Sequence, residues 1–444
     1  MEWNRLLSTR KFKVDEGGIS EYRSSQQAGD QTRSEYQRDH DRVVFSRAFR
    51  RLGRKTQVHP MAQNDHVHNR LTHSVEVAAV GRSIGIRVGE SLKARGRLPE
   101  PFTAYDIGDI VQVACLAHDI GNPPFGHTGE DALREWFAQP ENQRYLDGLS
   151  PAQLKDLQTY EGNAHALRIV CTTEMYAGRG GMRLSCASIG ALLKYPWTSE
   201  HSGQKGKFNI YQSELAYFKA VAGELGLGEL QPGRWARHPL SYLMESADDI
   251  CYSVLDLEDA VEMGILSTDE FEEKFKEYRS ASDDQIPDPR QRCAKLRSVF
   301  IGDCVKHVSD EFMRNYEAIM AGEFARADFF EDASVGSAAT LKASKEFARQ
   351  RIYTHPGKLK QEIGAYPCLH HLLSLFIPTV HDFQAGQGDV GLLGDRQRRI
   401  LKLLDRPPGT AGGGKYESYL DVLDFIGGMT DNYALALARE TSGF

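Results

Sequence analysis

Residues 115–130 read C-L-A-H-D-I-G-N-P-P-F-G-H-T-G-E, and the order of these side chains decides the fold. The apolar run 110–117 drives a helix, 104–120, toward the interior and delivers His118 and Asp119 side by side at its end, where Gly121 and the Pro123-Pro124 pair stop it. An imidazole and a carboxylate therefore arrive together at a buried helix terminus. A buried carboxylate is costly unless something positive meets it, and a divalent cation is the simplest compensation. A helix-terminal His-Asp hydrogen bond is the plainer alternative, and the dipeptide alone does not choose between them.

Just downstream, His127 and Glu130 stand three apart at the start of the next helix, in G-E-D-A-L-R-E-W-F. That spacing lets the carboxylate hold the imidazole, which fixes its tautomer and tunes its basicity. Ordinary capping of the helix by an acid is the competing explanation.

Upstream, Asn64 and Asp65 predict a helix beginning near His66, in D-H-V-H-N-R-L-T-H-S-V-E-V-A-A-V. On it His66, Arg70 and His73 share one face, while Leu71, Val75 and Ala79 form an inward stripe. His73 with Arg70 one turn away reads as a ligand with an anion-binding companion. Residues 15–35, polar and broken by Gly17-Gly18 and Gly29-Asp30, predict a loop or a mobile arm. From Tyr36 a helical stretch places Val44, Phe45, Ala48, Phe49 and Leu52 on an apolar side. The opposite side carries Arg42, Arg47, Arg50, Arg51, Arg54 and Lys55, a density of cations that demands acidic neighbours, a subunit face or phosphate.

Between residues 176 and 208 two glycine-rich breaks flank a short helix ending A-L-L-K-Y-P-W, and the loops carry Lys194, Tyr195, Lys205 and Lys207 toward an anionic ligand. Residues 239–263 then predict a long helix. Leu243, Ala247, Ile250, Val254, Leu257 and Val261 form its buried stripe, and Asp248, Tyr252 and Asp256 line a second face. A tyrosine set between two acids favours Asp248 over Asp249 as the functional carboxylate. The remainder reads as helices with loops at 283–290 and 406–415, closed by an apolar helix over 419–438 that docks on the core. With no repeat and no useful β-alternation, the expected fold is all-α.

Composition narrows the class. A chain of 444 residues with 41% hydrophobic content supports a sizeable core, and a net charge of −7 argues against a generally basic nucleic-acid coat. The seven cysteines are scattered and never spaced C-x-x-C, which argues against a thiolate zinc site and a disulfide framework. No apolar run approaches the roughly 18 residues of a bilayer span. The amino terminus lacks a signal-peptide core, so the expected location is cytoplasmic, without a membrane partner.

His73, His118, Asp119 and Asp248 come from three helices and supply two imidazoles and two carboxylates. Such a set suits Mn, Fe, Co, Ni or Zn better than Ca and leaves positions for water and a substrate oxygen. Hydrolysis of a phosphate ester is the chemistry expected.

The H…HD…D set resembles the HD-superfamily phosphohydrolases, and longer blocks resemble one branch of it. D-R-V-V-F-S-R-A-F-R-R-L-x-x-K-T-Q-V, N-R-L-T-H-S-x-E-V, A-H-D-I-G-N-P-P-F-G-H-T-G-E, Y-E-G-N-A, K-Y-P, A-D-D-I-C-Y-S-V-x-D-L-E-D-A and G-M-T-D-N-Y-A are similar to blocks of the bacterial deoxyguanosine triphosphate triphosphohydrolase family, itself related to vertebrate dNTP triphosphohydrolases. The resemblance implies one helical unit over 1–444, with an HD metal-binding core at 66–264 and a helical region at 265–444 that completes the nucleotide pocket and oligomer contacts. It implies cleavage of a dNTP at the α-phosphate to deoxynucleoside and tripolyphosphate. One divalent ion per site, Mn or Mg ahead of Fe, Co, Ni or Zn, would be held by His73, His118, Asp119 and Asp248. His127, oriented by Glu130, would be the acid/base or assisting residue. Arg70, Asn163, Lys194, Tyr195 and Lys207 would embrace the triphosphate. Gln57 and Asp256 would grip the sugar 3′-hydroxyl, and Tyr252 would pack on the ribose and crowd a 2′-hydroxyl. A hexamer or tetramer, a nucleotide effector and single-stranded DNA are the further partners that the resemblance admits. Two readings compete: an HD nucleotidase or alarmone hydrolase, against which Gln57, Tyr252 and Asp256 argue, and a single-strand-binding regulatory oligomer with an inert site, against which the intact ligands and His127–Glu130 pair argue.

Overall fold

The computed structural model describes residues 1–443 apart from 16–17, 23–31, 59–63, 175–179, 332–334, 405–407 and 410–412. The fold is all-α: among the described residues only two short antiparallel hairpins interrupt the helices, Lys11–Asp15 with Gly18–Tyr22 and Glu229–Gln231 with Arg234–Trp235. The first hairpin replaces part of the loop expected over 15–35; its strands are too short for alternation to announce them. The rest of that stretch, 23–31, lies outside the described residues.

Three helices build the frame of the site. The first runs Arg70–Ala94, not from His66 as the Asn64-Asp65 pair suggested. Asn64 caps only a turn, its side chain accepting from the His66 amide at 2.9 Å. Asn69 is the true cap: it accepts from the Leu71 and Thr72 amides at 3.0 Å each, with the Thr72 hydroxyl closing a capping box. The second helix, Ala104–Ala117, starts at a Thr103–Asp106 capping box and hands over to His118. The two pack closely because Gly81, Gly85 and Gly89 form one bare stripe. A methyl added at Gly85 would stand 2.9 Å from the Gly108 Cα, and one at Gly89 2.6 Å from the Ala104 Cα.

The third helix, Pro239–Glu262, crosses this pair, with Ala247 against the Gly81 position. Its expected stripe is fully buried at Leu243, Ala247, Ile250, Val254 and Leu257, while Val261 is half-buried. Burying each large aliphatic side chain contributes about 1.5–3 kcal/mol, so the stripe fixes the helix's rotation and with it the direction of Asp248.

Elsewhere the structure redraws several expectations. The helical stretch from Tyr36 breaks at Ser46, whose hydroxyl caps a new helix Arg47–Arg51 by accepting from Phe49 N at 3.1 Å. The break shifts the phase, burying Val43 and leaving Phe45 67% exposed. Lys55 leaves the cationic side altogether and is buried. The closing apolar helix is two helices, Lys415–Gly427 and Asp431–Ser442, divided at Gly427-Gly428 and restarted by Thr430, which accepts from Tyr433 N at 3.3 Å. The helix Pro356–Ala385 holds an 18-residue window of mean hydropathy 1.3, which passes the length and composition test for a span that no run was expected to approach, yet 56% of that window is buried inside the fold. The loop expected at 283–290 begins as a 3-10 turn, Ala281–Gln285, and ends at the helix Pro289–Arg314. Half of the loop at 406–415 lies outside the described residues. All seven cysteines are free and buried.

Two large apolar cores result among the described residues, with a small third cluster of Ala164, Phe208 and Tyr211. The larger joins the frame helices to the amino-terminal segment and to the helices Pro289–Arg314 and Gly336–Arg351. The second packs Gly126–Ala138 against the helices Pro356–Ala385, Lys415–Gly427 and Asp431–Ser442. The site lies where segments of both meet.

Candidate active site

Ligand atoms of His73, His118 and Asp248 all lie within 4.8 Å of one another. His118 Nδ1 is 2.6 Å from the Cys115 carbonyl, an obligate acceptor, so Nδ1 carries a proton and Nε2 is the nitrogen left to face the cluster. It lies 3.5 Å from Asp248 Oδ1, and His73 Nε2 approaches the same oxygen at 3.1 Å. Two imidazole nitrogens turned on one half-buried carboxylate require protons or a cation between them. Without a cation the balance shows in the acidities. Burial disfavours charge on His118, but Asp119 and Asp248 outweigh it and raise the imidazole to about 9. Burial likewise opposes ionisation of Asp248, yet His118 and Lys194 hold it well below the usual carboxylate range. The donor set fits a divalent cation: two imidazole nitrogens, one carboxylate and room left for oxygen ligands.

Asp119 stands beside this cluster. Its Oδ1 is 3.5 Å from His118 Nε2 and accepts from Asn122 Nδ2, while its Oδ2 accepts from Arg70 Nη1 at 2.7 Å. Arg70 leaves its Nε buried and without a protein acceptor among the described residues. Lys194 Nζ donates to Asp248 Oδ2 at 3.3 Å and lies 3.9 Å from Glu245. Next to it the Tyr195 amide donates to Asn209 Oδ1 at 2.7 Å, and the Tyr195 ring leans on Trp197 with centroids 5.4 Å apart.

A second group forms around His127, whose side chain is 74% exposed and whose Nδ1 is 2.9 Å from buried Glu130 Oε2. The other Glu130 oxygen accepts from Gly162 N at 2.7 Å. Burial raises the Glu130 carboxyl's affinity for a proton, but His127, Lys207 and Arg134 overcome this and hold it down. Buried Glu161 gathers the neighbours: Oε2 accepts from Lys207 Nζ at 2.9 Å and Arg134 Nη2 at 3.1 Å, and Oε1 from Asn163 Nδ2 at 2.6 Å. Arg70 links the two groups. A methyl at Gly126 would lie 2.6 Å from Arg70 Nη2, the far end of that side chain, which would have to shift, and Gly126 has φ +58°, a conformation strained for any residue with a side chain. The preceding Phe125 is also left-handed, at φ 64°.

Tyr252 and Asp256 form a third group with Tyr353. Asp256 is buried and accepts from the Tyr353 hydroxyl, and the Tyr252 and Tyr353 rings sit 6.0 Å apart. Burial pushes the Asp256 carboxyl up to about 8. Gln57 Oε1 is buried and has no donor among the described residues, an acceptor that a ligand hydroxyl would satisfy. Sequence reasoning missed Tyr353 and Glu161. Tyr353 lies in R-I-Y-T-H-P, where no spacing marks it; Glu161 sits in the quoted Y-E-G-N-A block, from which only Asn163 was taken. A separate cavity of about 800 Å³, lined by His307, Glu311, Arg314, Phe324, Arg326 and Phe329, shares no lining residue with these groups.

The family model described as HD domain matches residues 70–147, which contain His73, His118, Asp119, His127 and Glu130. A Pseudomonas aeruginosa protein named deoxyguanosinetriphosphate triphosphohydrolase-like is 42% identical over 100% of this chain and 99% of its own length. A Synechocystis protein of the same name is 34% identical over 100% and 99%. A Serratia proteamaculans deoxyguanosinetriphosphate triphosphohydrolase is 32% identical over 78% of this chain and 77% of its own.

Proposed function

The chain belongs to the deoxyguanosinetriphosphate triphosphohydrolase-like family of HD-domain proteins, and from that premise we propose that it hydrolyses deoxynucleoside triphosphates, dGTP or dNTPs in general, to deoxynucleoside and tripolyphosphate. The observation that carries the reading is the meeting of His73, His118 and Asp248 within 4.8 Å, beside an exposed imidazole held by a buried glutamate.

His73, His118 and Asp248 would hold one divalent ion, with Asp119 alongside; when bound, the ion polarises a phosphoryl oxygen and lowers the pKa of water, Mn or Mg being the leading candidates. The rest is the work of the chain's own side chains. Arg70, Lys194, Lys207, Asn163 and Tyr195 bind and align the triphosphate; Lys207 exchanges Glu161 for phosphate oxygens. With Nδ1 engaged by Glu130, His127 presents Nε2 toward the α-phosphate. Water adds to the α-phosphorus, the P–O5′ bond breaks, and the proton lost by water ends on the departing 5′-oxygen, a transfer His127 serves. Gln57 and Asp256 grip the 3′-hydroxyl, and Tyr252 against Tyr353 leaves little room for a 2′-hydroxyl.

In this reading 66–264 is the metal-binding core and 265–444 completes the pocket, with Tyr353 as supporting evidence. A homo-oligomer, a nucleotide effector and single-stranded DNA belong to the same reading; exposed Phe45 beside exposed Arg47, Arg50 and Arg54 is consistent with a contact face there.

The test is incubation of manganese-loaded protein with each dNTP, singly and in mixtures, followed by phosphorus NMR. Tripolyphosphate is expected. Orthophosphate or pyrophosphate in its place overturns the proposal.

A further inference from the structure

Three segments far apart in sequence meet beside the proposed pocket: 55–56, 122–126 and 427–431. Asp431, at the start of the helix Asp431–Ser442, is 3% exposed and lies at their junction. Its Oδ2 accepts from the Thr56 amide at 3.0 Å and from the Thr56 hydroxyl. Its Oδ1 accepts from the Phe125 amide at 3.0 Å. Each oxygen of one carboxylate thus holds a different segment. Lys55 reinforces the junction, its Nζ donating to the carbonyls of Asn122 at 2.5 Å and Gly427 at 2.6 Å.

The two residues that Asp431 holds are immediate neighbours of candidate site residues. Thr56 precedes Gln57, and Phe125-Gly126 precedes His127. Phe125 is held at φ 64°, a conformation that a residue with a side chain keeps only where its surroundings enforce it. The Phe125 amide has its acceptor in Asp431, so the bond both satisfies a half-buried donor and maintains the left-handed turn that aims His127. The motif G-M-T-D-N-Y-A, to which the proposed function gives no chemical part, acquires one here.

We propose that Asp431 is a positioning residue, a single buried carboxylate that fixes the separation between Gln57 on the sugar side of the pocket and His127 on the phosphate side. The inference rests on the dNTP reading, which defines those two sides. A substrate gripped at its 3′-hydroxyl while its α-phosphorus meets His127 senses that separation. A substrate lacking the 3′-hydroxyl senses only the phosphate half.

The experiment compares full-length wild type with Asp431→Ala and Asp431→Asn on dGTP and its 2′,3′-dideoxy counterpart, with manganese binding followed by calorimetry. The readout is the ratio of kcat/KM between the two substrates. For Asp431→Ala the ratio is expected to fall at least fivefold, with kcat on dGTP at least tenfold lower and manganese stoichiometry unchanged. Asp431→Asn, which keeps one acceptor oxygen, falls between and decides the matter by the same ratio, with a threshold of twofold, where the alanine variant does not fold. A ratio that falls by less than these thresholds overturns the proposal, whatever happens to kcat. A second measurement needs no turnover: hydrogen exchange at the Thr56 and Phe125 amides of the unliganded protein should accelerate together at least tenfold in Asp431→Ala, and at one or both in Asp431→Asn, which keeps a single acceptor oxygen; acceleration at one alone in Asp431→Ala, or at neither amide in either variant, overturns the proposal. If wild type releases no tripolyphosphate the dNTP reading fails, and amide exchange then decides the role of Asp431 on its own.

Discussion

His118 Nδ1 is committed to the Cys115 carbonyl at 2.6 Å, which leaves its Nε2 facing Asp248 Oδ1 at 3.5 Å across a buried gap. The arrangement is complete only with a positive charge in that gap. Manganese is therefore expected to raise the melting temperature of wild type in a concentration-dependent way, by the equivalent of about 2.7 kcal/mol at a hundredfold excess over Kd. Asp248→Ala should abolish that rise. Scanning calorimetry at several metal concentrations checks it, and a parallel rise in the variant would remove Asp248 from the ligand set.

His127→Ala is expected to lower kcat by about 10²–10⁴ while KM changes only a few-fold, because the ring serves the proton transfer rather than substrate affinity. Glu130→Gln should cost less, since a glutamine oxygen still accepts from His127 Nδ1–H. Steady-state kinetics on dGTP separates the two parameters, and unchanged turnover in His127→Ala would remove the ring from the chemistry.

Tyr353→Phe deletes the hydroxyl that donates to Asp256 and leaves a buried carboxyl oxygen without that partner, at a cost of about 1–3 kcal/mol. The expected signature is a higher KM for dGTP together with weaker rejection of GTP, because the ring beside Tyr252 is no longer tied to Asp256. Competition assays with the two nucleotides measure it; unaltered rejection would dissociate Tyr353 from sugar selection.

His68 provides a pH dependence. Its Nδ1 lies 2.6 Å from Asp259 Oδ1 and its Nε2 2.9 Å from Glu76 Oε2. Burial disfavours charge on the ring, but the two carboxylates prevail and raise it from 6.5 to about 10. A group whose folded pKa is raised contributes fully below its unfolded value and loses that contribution as pH climbs through the folded one. Stability attributable to this clamp, about 2–4 kcal/mol after allowing for the exposure of Glu76, should thus be intact below pH 6.5 and decline between 6.5 and about 10. Denaturant titrations across that window should show a steeper loss for wild type than for His68→Gln; equal slopes would count against the clamp.

Much of this architecture is legible in the sequence. The helix Pro239–Glu262 announces itself through its buried stripe, but on Arg70–Ala94 the stripe expected at Leu71, Val75 and Ala79 is not the inward one: Val75 is 48% exposed, Ala79 is exposed, and Val77, Ala78 and Ile84 are buried on the face that carries His73. His73, His118 and Asp248 can be picked out one helix at a time before their meeting is known. What sequence leaves open is decided between segments. Two asparagines five residues apart, Asn64 and Asn69, compete to start one helix. Asp259 on another helix favours Asn69, because its carboxylate accepts from the His68 backbone amide at 3.2 Å and draws the turn aside. Asp119 was expected among the ligands; its oxygens also accept from Arg70 and from the Asn122 side chain, partnerships that nothing local reveals. The partnerships of Tyr353 with Asp256 and of Asp431 with Thr56 and Phe125 join residues about a hundred or several hundred positions apart, beyond the reach of any spacing rule.

Where Gly85 and Gly89 bring one helix onto another, main chain rests on main chain, so even a single added methyl has nowhere to go. Gly85→Ala is accordingly expected to destabilise the protein by about 1–3 kcal/mol in denaturant unfolding, and a neutral result would show that the pair can slide. Such a contact works as a ruler of fixed length. The span from His73 to His118 is set by covalent backbone dimensions and not by the bulk of neighbouring side chains, which leaves the surrounding core free to exchange one aliphatic residue for another without moving the imidazoles.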